Sequence, residues 1–361
     1  MKRLLFLILA LMMGCGGSND TTPSTDGQDT TVVRQAYKTH ILLHQHLSNV
    51  SQSVLSYYDY VEVGHSGWDE LEPQYMSKAF LYIDIWASST YFIDPKDLAD
   101  GYWQPGPGNL AQPEYRMYFT PDRFAYCYQW NDAHVADFST WVENAMVNGA
   151  MGIFADNWAA DRFWWVGMRG EEYWDEDARI AEMIWPGYPS NGQLYTWVKI
   201  AEKNATLSIL SHREDGFLVC NGPGSVLQNS VHFHEFVGHG KEGWQNLVGT
   251  VAGSGGDRVP YDRYRNLDDG RTHWLQINEL SPDGTIDSLG VDILLRAVEE
   301  AKKRPGKISI GLTYRSSPEW GGSIYQLPTN SIYLDPRNWP GYYDTTGVKT
   351  NADLAVPRLQ R

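Results

Sequence analysis

Short apolar or alternating runs recur along this chain and are separated by polar stretches with helical periodicity. Eight runs are brief and rich in β-branched and aromatic residues, which favours strands over helices. The predicted strands are Ile41–His46, Tyr58–Val63, Phe80–Trp86, Gly152–Trp158, Phe217–Asn221, Val231–Phe236, His273–Asn278 and Ile308–Thr313. The predicted helices are Asp137–Asn148, with Asp137 as its N-cap, Tyr195–Leu210 and Leu289–Lys303.

Strands that alternate with helices predict parallel pairing, and eight of them predict an α/β fold of the (β/α)8 TIM-barrel type. A further strand-like run, Phe124–Trp130, is assigned to a long elaboration after the third strand. An open, doubly wound sheet is the structural alternative. That alternative has little support, because no GxGxxG turn follows the first predicted strand.

The N-terminus has the pattern of a bacterial lipoprotein leader. Lys2 and Arg3 precede the apolar run Leu4–Met13, which is too short to span a bilayer, and the run leads into Gly14-Cys15. We predict a lipoprotein signal peptide over 1–14, a lipidated Cys15 with a flexible tether over 15–36, and a barrel domain over 37–361. This organisation predicts membrane anchoring in the bacterial cell envelope. The alternative is an ordinary secreted protein in which Cys15 is incidental.

Composition removes several classes of protein. A hydrophobic content of 42% with 13% aromatic residues excludes a disordered chain. The excess of 44 acidic over 29 basic residues gives a net charge of −15, which disfavours a nucleic-acid partner. Three cysteines are too few for a disulfide scaffold. Cys127 and Cys220 lie in apolar runs, so we expect buried free thiols, with a bridge between them as the alternative.

Two carboxylates stand at the ends of predicted barrel strands. Asp156 ends the fourth strand and Glu235 lies near the end of the sixth. Active sites of (β/α)8 barrels form at the C-terminal strand ends, so both side chains are predicted to meet at one mouth. Glycosidic-bond cleavage needs such a pair, one carboxylate ionised and the other protonated.

Five short sequence segments carry a family resemblance. The segments GIFADNW, FLVCNG and SVHFHEF, together with the early ILLHQH and YDYVEV pattern, resemble secreted TIM-barrel glycoside hydrolases of the endo-α-1,4-polygalactosaminidase-like families. The resemblance covers most of residues 37 to 315 and implies catalytic roles for Asp156 and Glu235. Similarity to α-galactosidase-type barrels implies that Asp156 is the nucleophile and Glu235 the acid/base. The chain departs from the pattern at Ala155 and in the histidines around Glu235.

Aromatic and amide side chains near the strand ends are candidates for binding a carbohydrate. Sugar rings present apolar C–H faces, which flat aromatic side chains cover well. The candidates for substrate binding are Trp86, Asn157, Trp158, Asn221, His234, Asn278 and Glu279. Further tryptophans near the mouth are Trp130, Trp164 and Trp165, although packing is the simpler explanation for most of them. No cofactor and no metal are expected for this mechanism.

Two other functions stay open from the sequence. A metal-dependent, amidohydrolase-type hydrolase would draw on the chain's histidines, namely His44, His46, His232, His234 and His239. That pattern expects a histidine on strand five and an aspartate on strand eight, where this chain has Asn221 and Thr313. Strand alternation also turns His232 and His234 away from the face of Glu235. The other alternative is a carbohydrate-binding surface lipoprotein without catalysis.

Overall fold

A computed structural model describes the barrel and much of what surrounds it. The described residues are 37–43, 47, 50–85, 116–120, 123–126, 128, 130–156, 158, 171–184, 192–221, 230–237, 267–268, 270–281, 283–314 and 331–342. The predicted signal peptide, Cys15 and the tether lie outside these residues. Among the described residues, no helix combines the length and the apolar character needed to cross a bilayer.

Eight parallel strands close into a barrel, which confirms the predicted TIM-barrel fold. The strands, in chain order, are β1 (Lys38–Leu43), β2 (Tyr60–Val63), β3 (Ala79–Asp84), β4 (Arg116–Thr120), β5 (Arg123–Tyr126), β6 (Gly152–Asp156), β7 (Phe217–Asn221), β8 (Val231–Val237), β9 (His273–Leu280) and β10 (Ile308–Tyr314). The barrel order is β1-β2-β3-β6-β7-β8-β9-β10, and β10 pairs with β1 to close it. Each predicted strand run overlaps one of these barrel strands.

The strands β4 and β5 form a separate antiparallel pair. They lie in the chain between β3 and β6, where the sequence predicts an elaboration. The strand-like run at Phe124 therefore belongs to a hairpin outside the barrel, as expected.

Helices connect the strands. They are α1 (His65–Trp68), α2 (Pro73–Met76), α3 (Asp132–Val147), α4 (Trp174–Ile184), α5 (Gly192–His212) and α6 (Ser288–Lys303). The prediction that Asp137 caps α3 is wrong, because the helix begins five residues earlier at Asp132. Asn131 is the N-cap, and its side chain accepts a hydrogen bond from the backbone N–H of His134 at 2.9 Å. Asp132 in the first turn adds a favourable interaction with the helix dipole.

Aromatic rings close the N-terminal end of the barrel. Tyr60, Phe80, Phe217 and Trp274 come from the beginnings of their strands and point into one cluster. The ring centroids of Tyr60 and Trp274 are 5.4 Å apart, and those of Phe80 and Trp274 are 5.1 Å apart. Offset and edge-to-face contacts of this kind stabilise a packed interior. On β3, β6 and β7 the same inward faces end in polar residues at the opposite, C-terminal mouth.

Two fully buried histidines are held in their neutral form. His40 contacts Ser309 and Gln276 inside the barrel, and His134 contacts the carbonyl oxygen of Ile85 at 3.0 Å. Burial lowers the pKa of His40 to about 3 and that of His134 to about 4, against weaker opposing effects of their hydrogen bonds.

These histidines predict a loss of stability in mild acid. Below about pH 6.5 the unfolded chain takes up a proton on each histidine while the folded chain does not, so the free energy of unfolding falls by about 1.4 kcal/mol per pH unit and group. For His134 the loss continues until the pH reaches its folded pKa of about 4. We expect His134→Phe to reduce this slope by about that amount in urea unfolding between pH 7 and pH 5.

The matched control for the pH experiment is Phe138→Leu, a buried change in the same helix that removes no titratable group. It should lower the free energy of unfolding at every pH and leave the slope unchanged. An unaltered slope in His134→Phe would contradict the assignment of a neutral, buried His134.

Candidate active site

Three polar side chains end neighbouring strands at the C-terminal mouth of the barrel. Asp84 is the last residue of β3, Asp156 the last of β6 and Asn221 the last of β7. Asp84 and Asp156 are register partners in the parallel pair of β3 and β6. By strand alternation they share the inward face with Tyr82 and Phe154, which belong to the interior cluster.

Asp156 is held by one hydrogen bond on each carboxylate oxygen. The hydroxyl of Tyr82 donates to Oδ2 at 2.6 Å, and the side-chain amide of Asn221 donates to Oδ1 at 2.7 Å. Asp156 is 8% exposed, so the carboxylate is fixed at the edge of the barrel interior. Tyr82 and Asn221 thus hold both oxygens of the Asp156 side chain in place.

The position of Asn221 is itself fixed by the backbone. The N–H of Trp158 donates to the carbonyl oxygen of Asn221 at 2.6 Å, which ties the segment after β6 to the end of β7. The amide of Asn221 is therefore positioned next to Asp156 by strand pairing and by this additional contact. The structure thus brings together Asp156 and Asn221, two of the residues singled out from the sequence.

Sequence reasoning missed two residues that belong to the same mouth. Tyr82 contacts Asp156 directly, and Asp84 is fully buried at the neighbouring strand end. Asp84 had a detectable signal, because FLYIDIW places a carboxylate in an apolar strand just as GIFADNW does. A third acid, Glu62 of β2, is also fully buried and accepts a hydrogen bond from the N–H of Leu43 at 3.0 Å. Glu62 therefore helps to hold the end of β1.

Glu235 lies in β8, although its side chain is outside the described part of the structure. The pairing of β8 with β9 shifts in register between His234 and Val237, so the strand is irregular where Glu235 occurs. Irregularities of this kind are frequent next to active sites, because they redirect side chains. Asn278 of β9 is buried and pairs in register with Thr313 of β10, on the inward face of the barrel.

Several other candidates are packed inside the protein. Trp158 is fully buried, and its ring packs against Phe138 of α3 with centroids 5.6 Å apart. Glu279 faces the helix layer and lies directly against Gly290 of α6. If Gly290 carried a Cβ, that atom would be only 2.8 Å from the Cβ of Glu279. Trp130 is buried beside His134, with ring centroids 4.8 Å apart. Trp86, Asn157, Trp164 and Trp165 lie outside the described residues.

Histidines gather on the outer side of the barrel. His232 and His234 of β8 and His273 of β9 are all buried, on the face opposite to the interior residues Phe233 and Trp274. This agrees with the alternation predicted for His232 and His234. Burial lowers the pKa of His234 well below its usual value, and the charges of His232, His273 and Arg271 lower it further. The other histidines of the amidohydrolase-type alternative, His44, His46 and His239, lie outside the described residues.

Cys220 of β7 is a buried free thiol, as predicted. Burial raises the pKa of this thiol well above its usual value, and the negative charge of Glu202 adds to the effect. A thiol in this environment is protonated at neutral pH and is a poor nucleophile. Cys127, the other cysteine of the predicted barrel domain, lies outside the described residues.

Comparison with known proteins yields distant structural neighbours and no matching family. No family model matches the chain, and no curated protein matches it. The glycoside hydrolase domain of PelA from Pseudomonas aeruginosa is 13% identical, with a TM-score of 0.37 over 79% of this chain and 98% of that domain. A variant of a GH31 dextranase from Flavobacterium johnsoniae, complexed with isomaltotriose, is 12% identical, with a TM-score of 0.48 over 84% of this chain and 38% of that chain. The same dextranase complexed with glucose gives a TM-score of 0.45. These neighbours are glycoside hydrolases, but values this low carry no information about the site of this chain.

Proposed function

We propose that the protein is a glycoside hydrolase that cleaves an extracellular poly- or oligosaccharide, with Asp156 and Glu235 as its carboxylate pair. The observation that supports this proposal is the environment of Asp156. Its carboxylate ends β6 at the barrel mouth and accepts one hydrogen bond on each oxygen, from Tyr82 and Asn221. A carboxylate whose two oxygens are held in place by hydrogen-bond donors suits the ionised member of the pair.

The proposed chemistry assigns one role to each carboxylate. Asp156 attacks the anomeric carbon while Glu235 donates its proton to the departing glycosidic oxygen, so the C–O bond to the leaving sugar breaks as the bond to Asp156 forms. Glu235, now ionised, then takes a proton from water as the water displaces Asp156. The products are two sugars, one with a new reducing end, and both carboxyl groups return to their starting protonation states.

Tyr82 and Asn221 act in this proposal as positioning residues for Asp156. Their hydrogen bonds fix both the direction and the plane of the carboxylate, which keeps the attacking oxygen aligned with the anomeric carbon. Neither residue needs to transfer a proton. The predicted lipid anchor at Cys15 would hold the enzyme at the cell envelope, where it would meet polymeric substrates outside the cytoplasm.

The test is an assay of purified protein against a panel of extracellular polysaccharides, in which new reducing ends are measured alongside binding of the same glycans. A hydrolase releases reducing ends in proportion to time and enzyme concentration. The alternative function, a surface lipoprotein that only binds carbohydrate, predicts retention on an immobilised glycan without any new reducing ends. That outcome would replace the hydrolase proposal.

A further inference from the structure

Three histidines converge on the outer face of the barrel, away from the mouth. His232 and His234 are two residues apart on β8, so strand alternation places them on the same face. His273 is the register partner of His232 on the neighbouring strand β9. The three side chains therefore come from two adjacent strands and meet behind the barrel wall.

The spacing of their ring nitrogens is close to that of ligands on one ion. One nitrogen from each histidine lies within 4.8 Å of the others. Nε2 of His234 and Nδ1 of His273 are 3.1 Å apart. Two imidazoles bound tetrahedrally to zinc at about 2.0–2.1 Å have nitrogens about 3.4 Å apart. The nitrogens of His234 and His273 are thus almost at the spacing of two zinc ligands. The most widely separated nitrogens, up to 4.8 Å apart, would have to approach to about 3.4 Å by rotation of the imidazole rings.

We propose that His232, His234 and His273 form a binding site for a divalent transition-metal ion, best suited to zinc, on the outer face of β8 and β9. Neutral imidazole is the ligand form that zinc prefers, and three of them leave a fourth position for water or another donor. The ion would join two neighbouring strands through three buried side chains. Its role would be to stabilise this side of the barrel.

One positive and one negative side chain act on residues at this outer side of the barrel. Arg271 lies two residues before His273, and its positive charge acts on His234 against a cation. Glu202 of α5 is fully buried and acts on Cys220, which is the register partner of His232. A buried carboxylate therefore lies on the same outer side of the barrel, next to the strand that pairs with β8.

This metal site is independent of the proposed hydrolysis. The histidines share the face opposite to Phe233 and Trp274, whereas Asp156 lies on the inward face at the mouth. The carboxylate mechanism proposed above uses no metal. Failure of either proposal therefore leaves the other unaffected.

The experiment uses the protein without a histidine tag, freed of metal with a chelator and then dialysed. Zinc is titrated by calorimetry, and the bound metal is counted by elemental analysis after gel filtration. We expect one zinc per chain at micromolar or lower free concentration and a rise of several degrees in the midpoint of thermal unfolding. Cobalt should give the visible absorption of a tetrahedral site with nitrogen ligands.

Variants assign the ion to these residues. His232→Gln, His234→Gln and His273→Gln should each weaken zinc binding by at least about 100-fold. The control is His134→Gln, which changes a fully buried histidine in α3 and should leave zinc affinity unchanged. The proposal is overturned if the wild-type chain takes up no stoichiometric zinc, a measurement that does not depend on the variants folding. It is also overturned if folded variants of the three histidines keep the zinc.

Discussion

Asp156→Asn is expected to lower kcat for glycan hydrolysis by at least about 1,000-fold while the protein stays folded. An amide is neither a nucleophile nor a base, so the step that attacks the anomeric carbon is lost. Asparagine has nearly the same shape, and its Oδ1 can still accept a hydrogen bond from Tyr82 or Asn221. Initial rates of reducing-end release measure the loss, and circular dichroism with thermal unfolding checks the fold.

A graded series makes the effect of Asp156→Asn specific. Tyr82→Phe removes one donor to the carboxylate and should lower kcat by about 10- to 100-fold with a smaller change in KM. Asp215→Asn changes an exposed acid that precedes β7, at the opposite end of that strand from Asn221, and should leave kcat unchanged. Full activity of Asp156→Asn would remove Asp156 from the mechanism. Equal losses in all three variants would point to a general loss of folding.

Gly152→Ala is expected to destabilise the barrel by about 3–5 kcal/mol, enough to unfold many domains of ordinary stability. Gly152 opens β6, and its backbone runs directly against the beginning of β7. A Cβ at this position would overlap the carbonyl oxygen of Phe217 and lie 2.9 Å from Cε1 of Phe80. Because a backbone oxygen in a paired strand cannot move aside, the strands would have to separate. Urea unfolding of the purified variant measures the loss.

The control for Gly152→Ala is Gly270→Ala. Gly270 has a φ of +84°, and a Cβ there would meet nothing within 4 Å. That variant should cost only about 1–2 kcal/mol, the strain of a non-glycine residue in the left-handed region. If both variants lose the same free energy of unfolding, close packing of β6 against β7 is not what requires glycine at position 152.

The barrel was predictable because its strands carry a local signal. Inward and outward residues alternate along each strand, and short runs such as Phe217–Asn221 match the observed β7 in both bounds. The predicted ends of the strands were less accurate. For example, β1 begins at Lys38, three residues before the predicted Ile41. The start of α3 was also misplaced, because Asn and Asp are both preferred N-cap residues and Asn131 rather than Asp137 takes that position.

The candidate site was predictable only where a residue type is unusual for its surroundings. A carboxylate that ends an apolar strand is costly to bury, so Asp156 could be found from the sequence. Tyr82 could not, because a tyrosine among aromatic core residues gives no sign that its hydroxyl contacts Asp156. The histidine group depends on the pairing of β8 with β9, which brings His273 beside His234 across 39 residues of chain. The local pattern of hydrophobic and polar residues does not determine which residues of two distant strands become register partners.

The most direct test of the central claim compares the wild-type protein with Asp156→Asn on the polysaccharide panel, with bond cleavage and binding measured on the same samples. The account predicts that the wild-type protein releases new reducing ends from at least one glycan. It also predicts that Asp156→Asn binds this glycan with similar affinity and releases almost none. Binding of glycans by the wild-type protein with no cleavage of any of them, or equal cleavage by both proteins, would contradict a carboxylate mechanism at this barrel mouth.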